Sequence, residues 1–203
     1  MNVTNEKKRN KTFCLLSLLF CCLTLFTYGC KSAPIKQYAR PNVDISKINK
    51  IAVLPFENFT PSAYAADKIR SLVIIDLLSR GTDVIEPGEI IRTMEELRVR
   101  SVHSVSVFDL KHIGETLKVD ALMMGSVGAF EISKGISVQY PEVSINLRLF
   151  DVKSGNIIWS VWHTAGGADF WTRHFGAEGP TLDETSKKVI KEAIDALFIH
   201  KSS

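Results

Sequence analysis

Cys30 is the residue with the clearest chemical role in this sequence, because it ends an apolar N-terminal segment. Basic residues within positions 7–11 precede an uncharged apolar run from Thr12 to Tyr28, and Gly29 comes directly before the cysteine. This order is typical of a secretory signal. The other three cysteines lie inside the apolar run, so a processed chain would keep Cys30 alone and could form no internal disulfide.

A lone cysteine at a cleavage boundary suggests lipid attachment. Residues 25–30 resemble the lipobox of bacterial lipoproteins, in which a diacylglycerol is linked to the cysteine before cleavage makes it the N-terminus. Thr27 and Tyr28 stand where that pattern has a leucine and a small residue. An uncleaved membrane anchor is the alternative, since a run of about 18 uncharged residues reaches the lower limit for spanning a bilayer. Both interpretations tether the rest of the chain outside the cytoplasm.

A possible metal site is formed by His163, Asp169 and His174, with Glu178 nearby. Imidazole and carboxylate groups are zinc ligands, but these residues lie across a glycine-containing loop, and a surface loop with scattered polar residues is the preferred interpretation. Phosphate-binding glycine motifs are absent from the sequence. The segment 125–128 lacks the spacing of a nucleophile elbow, so its two glycines are predicted to be close-packing positions in a sheet. We therefore expect no catalytic residue, metal or cofactor.

The charge balance separates the signal from the rest of the chain. The whole sequence has 25 Lys+Arg and 22 Asp+Glu, and residues 1–29 hold four of the bases and one of the acids, which leaves 21 of each. A neutral mature domain gives no indication of nucleic-acid binding. We expect a signal peptide at 1–29, a lipidated N-terminus and tether at 30–46, and one domain at 47–203.

Helices alternate with strands in the first half of that domain. Lys50 to Phe56 is continuously apolar after its first residue and predicts a strand covered on both sides. Thr60 and the following proline predict the start of a helix that runs to Ser79. A short strand at 83–86 and two further helices are predicted next, the second of them capped by Asp109.

The second half predicts an antiparallel hairpin. Residues 121–127 are continuously apolar, whereas residues 143–152 alternate between apolar and polar, and a turn at 153–156 leads to a second alternating strand. Alternation places Phe150 and Trp162 away from the helix-covered side. Thr181 and Glu184 form a capping box at the start of the last helix. The predicted fold class is α/β: a single domain whose mixed β-sheet, with a C-terminal antiparallel hairpin, is packed by helices.

Three segments carry a family resemblance. Residues 51–58, 119–127 and 148–160 resemble signature segments of the CsgG-like lipoprotein superfamily, which includes PelC-like proteins and whose domain is similar to the N-terminal domain of TolB. The resemblance covers roughly residues 47 to 198. It implies a periplasmic α/β domain that is anchored by lipid at the outer membrane and assembles into rings or other oligomers that serve export or envelope construction.

An aromatic loop is the most suggestive feature outside the predicted core. Phe170, Trp171 and Phe175 lie close together between glycines, and they either close the end of the core or form a protein contact, since large aromatic residues are enriched in interfaces. With Phe150 and Trp162 they make up the predicted interface.

Two functions follow from these expectations. The first is an oligomerising lipoprotein on the periplasmic face of the outer membrane, an accessory to other export or envelope-assembly proteins, and not an enzyme. The alternative is a monomeric periplasmic domain that binds or senses a small molecule or a cell-wall fragment.

Replacing Cys30 with alanine tests the anchor. If the thiol carries the lipid, the Cys30→Ala protein should lose the lipid and keep the apolar segment, because in the lipobox pattern the lipid is added before cleavage. Mass spectrometry of the protein from the membrane fraction measures both changes against the parent. A parent that is itself uncleaved and without lipid, so that the variant differs from it only by the substitution, would instead support the uncleaved apolar anchor.

Overall fold

The computed structural model describes residues 35–99, 102, 105–134, 139–167 and 179–201. The chain divides into two compact units, 1–34 and 35–203, and all described residues belong to the second. In these ranges the helices are α1 (Ala65–Ser79), α2 (Pro87–Glu96), α3 (Val107–Leu117) and α4 (Leu182–Lys201). The strands are β1 (Lys36–Ala39), β2 (Lys50–Val53), β3 (Glu57–Asn58), β4 (Asp83–Val84), β5 (Ala121–Lys134), β6 (Gln139–Asp151) and β7 (Ile157–Gly166).

The strands form one mixed sheet with the order β1-β7-β6-β5-β2-β4. β5 is its central strand: it pairs in parallel with β2 and β3 along one edge and antiparallel with β6 along the other. β7 pairs antiparallel with both β6 and β1, and β4 pairs in parallel with β2. The predicted α/β fold, with a mixed sheet and an antiparallel hairpin, is therefore confirmed.

Helices cover the two sides of the sheet to different extents. On the first side, α1 packs against β4 and β5, and α4 packs against β6 and β7. On the second side, α2 packs against β2 and α3 against β5. The first core contains Val53, Met123, Leu147, Trp159 and Ile194, and the second contains Leu54, Ile90, Ile113 and Leu122. The second side thus has helical cover over only part of its width in the described chain.

Pro55 divides the strand that the sequence predicts at Lys50 to Phe56. β2 ends before the proline, and β3 continues beyond it along the same edge of β5. Proline has no N–H to donate to a neighbouring strand, but the N–H groups of Leu54 and Phe59 each donate to a β5 carbonyl at 2.9 Å. The interruption therefore leaves both short strands aligned on β5.

The interruption also places an aromatic ring against a glycine. A Cβ on Gly125 would lie 2.7 Å from the ring of Phe56, whereas a Cβ on Gly128 would lie no closer than 3.8 Å to Ser144. Gly128 instead coincides with a shift in the β5–β6 register. The predicted close-packing role is thus confirmed for Gly125 and wrong for Gly128.

The folded unit begins earlier than the predicted boundary at residue 47. Lys36–Ala39 pairs with β7, and the buried Ile45 starts a short 3-10 helix to Lys47, capped by Asp44. Three of the four β1 residues are exposed. A strand of this kind shows no hydrophobic period, so the sequence predicted a tether instead.

The helix starts agree with the sequence in one case and differ in two. The capping box at Thr181 is confirmed. The Thr181 N–H donates to Glu184 Oε2 at 2.8 Å, and the Thr181 hydroxyl accepts from the Glu184 N–H at 3.2 Å. α1 starts later than the predicted cap, Thr60. Ser106 caps α3, and Asp109 occupies the reciprocal position of that capping box.

None of the helices in the described ranges is long and apolar enough to cross a membrane.

Alanine at position 125 should destabilise the domain. Phe56 is 8% exposed and so has little room to move away from an added methyl group, and overpacking of this kind typically costs about 1–3 kcal/mol. Gly128→Ala is the matched control in the same strand, since its methyl group meets only ordinary contacts. Chemical denaturation of both variants measures the difference, and equal free energies of unfolding would contradict the Phe56 contact.

Candidate functional site

Part of the second side of the sheet, over β6, β7 and β1, is bare of helices from the described residues, and we call it the open face. Side chains alternate along a strand, so the aliphatic residues of β6 enter the first core while their neighbours turn outward. The open face consists of Lys36, Tyr38, Ser144, Asn146, Arg148, Ser160, Trp162 and Thr164.

Trp162 is the largest side chain on the open face, and 53% of it is exposed. Its indole N–H donates to Ser144 Oγ at 3.2 Å, and the same oxygen accepts from the Thr164 hydroxyl at 2.9 Å. The Lys36 ammonium lies 5.4 Å from the ring centroid, within cation–π range. Tyr38 adds a second aromatic ring, 47% exposed. The face therefore offers flat aromatic surface held in place by polar neighbours.

Two polar atoms of the open face lack hydrogen-bond partners in the described part of the chain. They are the side-chain carbonyl oxygen of Asn146 and the Nε of Arg148, and both atoms are buried. A buried polar group left unpaired costs about 1–3 kcal/mol. Arg148 and Lys36 also form no ion pair with the described residues. The open face thus presents two cationic side chains beside its aromatic rings, and two unpaired polar atoms lie buried beneath it.

The residues predicted for an interface are divided by the structure. Trp162 lies on the open face, on the opposite side of the sheet from α4. Phe150 is partly buried against the second core, so it contributes to the packing of its own domain. Phe170, Trp171 and Phe175 lie outside the described residues. The interface role of these five side chains stays a prediction.

Other residues of the open face were not predicted as functional from the sequence. Asn146 and Arg148 alternate with the buried residues of β6, and an amide and a guanidinium in adjacent outward positions were a usable signal of a polar surface. Lys36 and Tyr38 gave no such signal, because β1 has no apolar pattern of its own.

His163 lies on the first side of the sheet, away from the open face. Its Nε2 is 2.7 Å from Glu192 Oε2 of α4, and 11% of its side chain is exposed. Asp169, His174 and Glu178 lie outside the described residues. Within the described ranges, no group of three or more His, Cys, Asp or Glu side chains could hold a metal ion. His163 therefore connects β7 to α4.

A polar cleft of about 360 Å³ lies near the starts of β2 and β5. Its carboxylates already have partners in the backbone. For example, Asp120 Oδ2 accepts from the N–H groups of Asn49 and Lys50, at 2.9 Å each. The charged residues that line the cleft are Asp44, Lys47, Asp120, Asp151 and Lys153. The cleft thus stabilises strand ends, and it has room for a small polar molecule.

Arg70 is a second arginine of this domain with a buried guanidinium, but unlike Arg148 it has a hydrogen-bond partner. Its Nε and one terminal nitrogen donate to the carbonyl of Val53, at 3.0 and 2.6 Å. Burial lowers the pKa of Arg70, and the nearby carboxylates of Asp67 and Glu86 act in the opposite direction. β4 ends before it could pair with this carbonyl, so the arginine supplies the missing donor. Arg148 has no equivalent partner.

The fold is shared with several solved structures. The PelC dodecamer from Paraburkholderia phytofirmans matches with 20% identity and a TM-score of 0.56 over 81% of this chain and 96% of the PelC chain. Lipoprotein GNA1162 from Neisseria meningitidis matches with 16% identity and a TM-score of 0.52 over 75% and 97% of the two chains. The hypothetical protein CT253 from Chlamydia trachomatis matches with 11% identity and a TM-score of 0.51 over 76% and 98%. No family model and no curated protein matches the chain. At these identities the likeness establishes the fold alone.

The two arginines should respond differently to replacement by methionine. Arg148→Met removes a buried unpaired donor, so the free energy of unfolding should stay within about 1 kcal/mol of the parent or rise. Arg70→Met leaves the Val53 carbonyl unpaired and should lower that free energy by about 2 kcal/mol or more. Urea denaturation compares them. A large loss for Arg148→Met would mean that its guanidinium stabilises the isolated fold.

Proposed function

We propose that this chain is a lipid-anchored accessory protein of the bacterial cell envelope that works as an oligomer. Cys30 holds it at the periplasmic face of the outer membrane, and it serves an export or envelope-assembly system together with other envelope proteins. The observation that carries the proposal is the open face, where Trp162 and Tyr38 are exposed beside the unpaired groups of Arg148 and Asn146.

The composition of the open face supports a protein contact. Trp, Tyr and Arg are the residues most enriched at interface hot spots, and all three occur within this small area. A partner surface with apolar side chains would cover Trp162 and Tyr38, and a carboxylate on it would face the positive charges of Arg148 and Lys36.

The comparisons support the oligomeric part of the proposal. The PelC protein that shares this fold forms a dodecamer, so the architecture is compatible with assembly from many copies. The export or envelope role draws on the three sequence segments that resemble the CsgG-like superfamily. Neither an enzymatic step nor a cofactor enters the proposal.

The polar cleft favours the second candidate, a monomeric domain that binds a small molecule or a cell-wall fragment. Its volume of about 360 Å³ suits a ligand of modest size. Asp120 and Asp151, however, accept hydrogen bonds from the backbone of the adjoining turns and strands. A structural use of these carboxylates explains the cleft without a ligand, so we rank this function second.

Trp162→Ala should weaken self-association more than folding. A central aromatic anchor contributes about 2 kcal/mol or more to an interface, which corresponds to a roughly 30-fold weaker association. Sedimentation velocity of the full-length lipidated protein in detergent measures assembly, and thermal unfolding in the same buffer measures stability. The Trp162 side chain is half exposed, so its loss should change the unfolding midpoint little.

Phe108→Ala is the matched control, because Phe108 is 74% exposed but lies on α3 rather than on the open face. Its assembly should equal that of the parent. A parent protein that stays monomeric at high concentration, or equal loss of assembly in both variants, would contradict the proposed interface.

A further inference from the structure

Helix α1 carries a row of exposed residues that point away from its own core. Ile75 is 61% exposed and Leu78 is 51% exposed. A helix on a domain surface usually has polar residues on the side opposite its core, and an exposed aliphatic pair one turn apart departs from that rule. The row consists of Tyr64, Asp67, Ser71, Ile75 and Leu78, spaced three or four residues apart, and we call it the α1 stripe.

The α1 stripe and the open face lie in different parts of the domain. α1 packs on the first side of the sheet, over β4 and β5, whereas the open face belongs to the second side, over β6, β7 and β1. The two surfaces of one copy cannot touch each other. A contact between them must join two copies, and it is head to tail because it uses a different surface on each copy.

The dimensions of the two surfaces agree. From Tyr64 to Leu78 the stripe extends for about 21 Å at the helical rise of ~1.5 Å per residue. The three strands of the open face span about 10 Å between the outer two, which is close to the diameter of a helix. α3 already covers β5 on this side of the sheet. A helix from a second copy would extend the same layer over the bare strands.

The charges of the two surfaces are complementary. The open face has Lys36 and Arg148, neither of them in an ion pair with the described residues. The stripe has Asp67, whose carboxylate also forms no ion pair in this part of the chain, and the adjacent Lys68 is already paired with Asp183 at 3.0 Å. The contact would therefore bring the carboxylate of Asp67, which lies near Arg70 of its own copy, to cations that have no ion pair among the described residues, one of which, Lys36, already lies over the Trp162 ring.

Pairing of two open faces with each other is less favourable, because their charges are alike. It would place two lysines and two arginines in one interface, and like charges oppose association. Glu142 is the carboxylate at an outward position of β6, and it lies about 20 Å along the strand from Arg148. It also already accepts a hydrogen bond from the Ser133 hydroxyl at 2.9 Å.

We propose that the open face binds the α1 stripe of a second copy of this chain, with Ile75 and Leu78 packed on Trp162 and Tyr38, and Asp67 near Arg148 or Lys36. Copies then associate head to tail. This inference rests on the self-association proposed above and names the second surface that it needs.

Mixing two complementary variants tests the pairing. In full-length lipidated protein in detergent, Trp162→Ala removes the open-face anchor and Ile75→Asp disrupts the stripe. Each variant alone should associate at least about 30-fold more weakly than the parent. An equal mixture should form complexes of two copies and no larger ones, because each pair has one intact open face and one intact stripe. Sedimentation velocity with one variant fluorescently labelled measures this.

Ile91→Asp is the matched control, because Ile91 is an exposed aliphatic residue on α2, outside both surfaces. It should assemble like the parent. Formation of the mixed two-copy complex also shows that both variants are folded, since an unfolded chain cannot supply an intact surface to its partner.

Charge reversal gives an independent measurement of the same contact. Asp67→Lys should weaken assembly, and mixing it with a Lys36→Glu variant should restore part of the loss.

Three outcomes would overturn the pairing. If Ile75→Asp assembles like the parent while Trp162→Ala does not, the α1 stripe is not the partner surface, and self-association through the open face stands. If Ile75→Asp loses only its binding to phospholipid vesicles, the stripe contacts lipid and the pairing is again wrong. A monomeric parent overturns both the pairing and the proposed function.

Discussion

The backbone hydrogen bonds of β5 join the two halves of the domain into one sheet. β5 pairs on one edge with two parallel strands from the first half of the chain and on the other with the antiparallel hairpin of the second half. Asp120, just before β5, fixes this arrangement: its carboxylate accepts from the start of β2, and its carbonyl accepts from Val152 N–H at 3.1 Å. One residue thus sets where β2 and the end of β6 lie relative to β5. Displacement of Asp120 would affect both halves of the sheet.

The unequal cover of the two sides follows from this connectivity. The parallel strands need crossover connections, and their helices α1 and α3 pack on opposite sides of the sheet near β5. The antiparallel hairpin β6–β7 needs only a short turn, so it brings no helix of its own. The chain after the hairpin supplies α4, which covers the first side alone. The second side of the hairpin is therefore bare because the described helices available to the sheet are already placed elsewhere.

The sequence predicted the elements whose patterns are local and left out those that depend on distant partners. Alternation revealed the hairpin, and the capping box at Thr181 revealed the start of α4. β1 could not be predicted, because its mostly exposed residues owe their conformation to hydrogen bonds with β7. The extension of β5 to Lys134 was missed for the same reason, since three of its last four residues are polar and the segment is held as strand by β6. Phe150 packs partly against the second core, which alternation alone could not indicate, and its interface role stays a prediction.

The candidate site was partly visible in the sequence for a physical reason. Trp162 stood out because a large aromatic residue in a polar register of an alternating strand needs cover from some surface. Arg148 did not stand out, because an arginine in an outward strand position is ordinary until its surroundings are known. Only the structure separates Arg148 from Arg70: the guanidinium of Arg70 donates to a strand carbonyl, whereas the Nε of Arg148 is buried without a partner in the described chain.

Residues that break a local rule of packing or pairing without compensation tend to mark functional surfaces. The exposed pair on α1 breaks the rule for apolar side chains, as Arg148 breaks the one for polar atoms. In the contact proposed above, Trp162 and Tyr38 of one copy would cover Ile75 and Leu78 of the next, and the carboxylate of Asp67 would face the positive charge of Arg148. One contact between copies would then remove the exposed apolar pair and the exposed aromatic rings from water together.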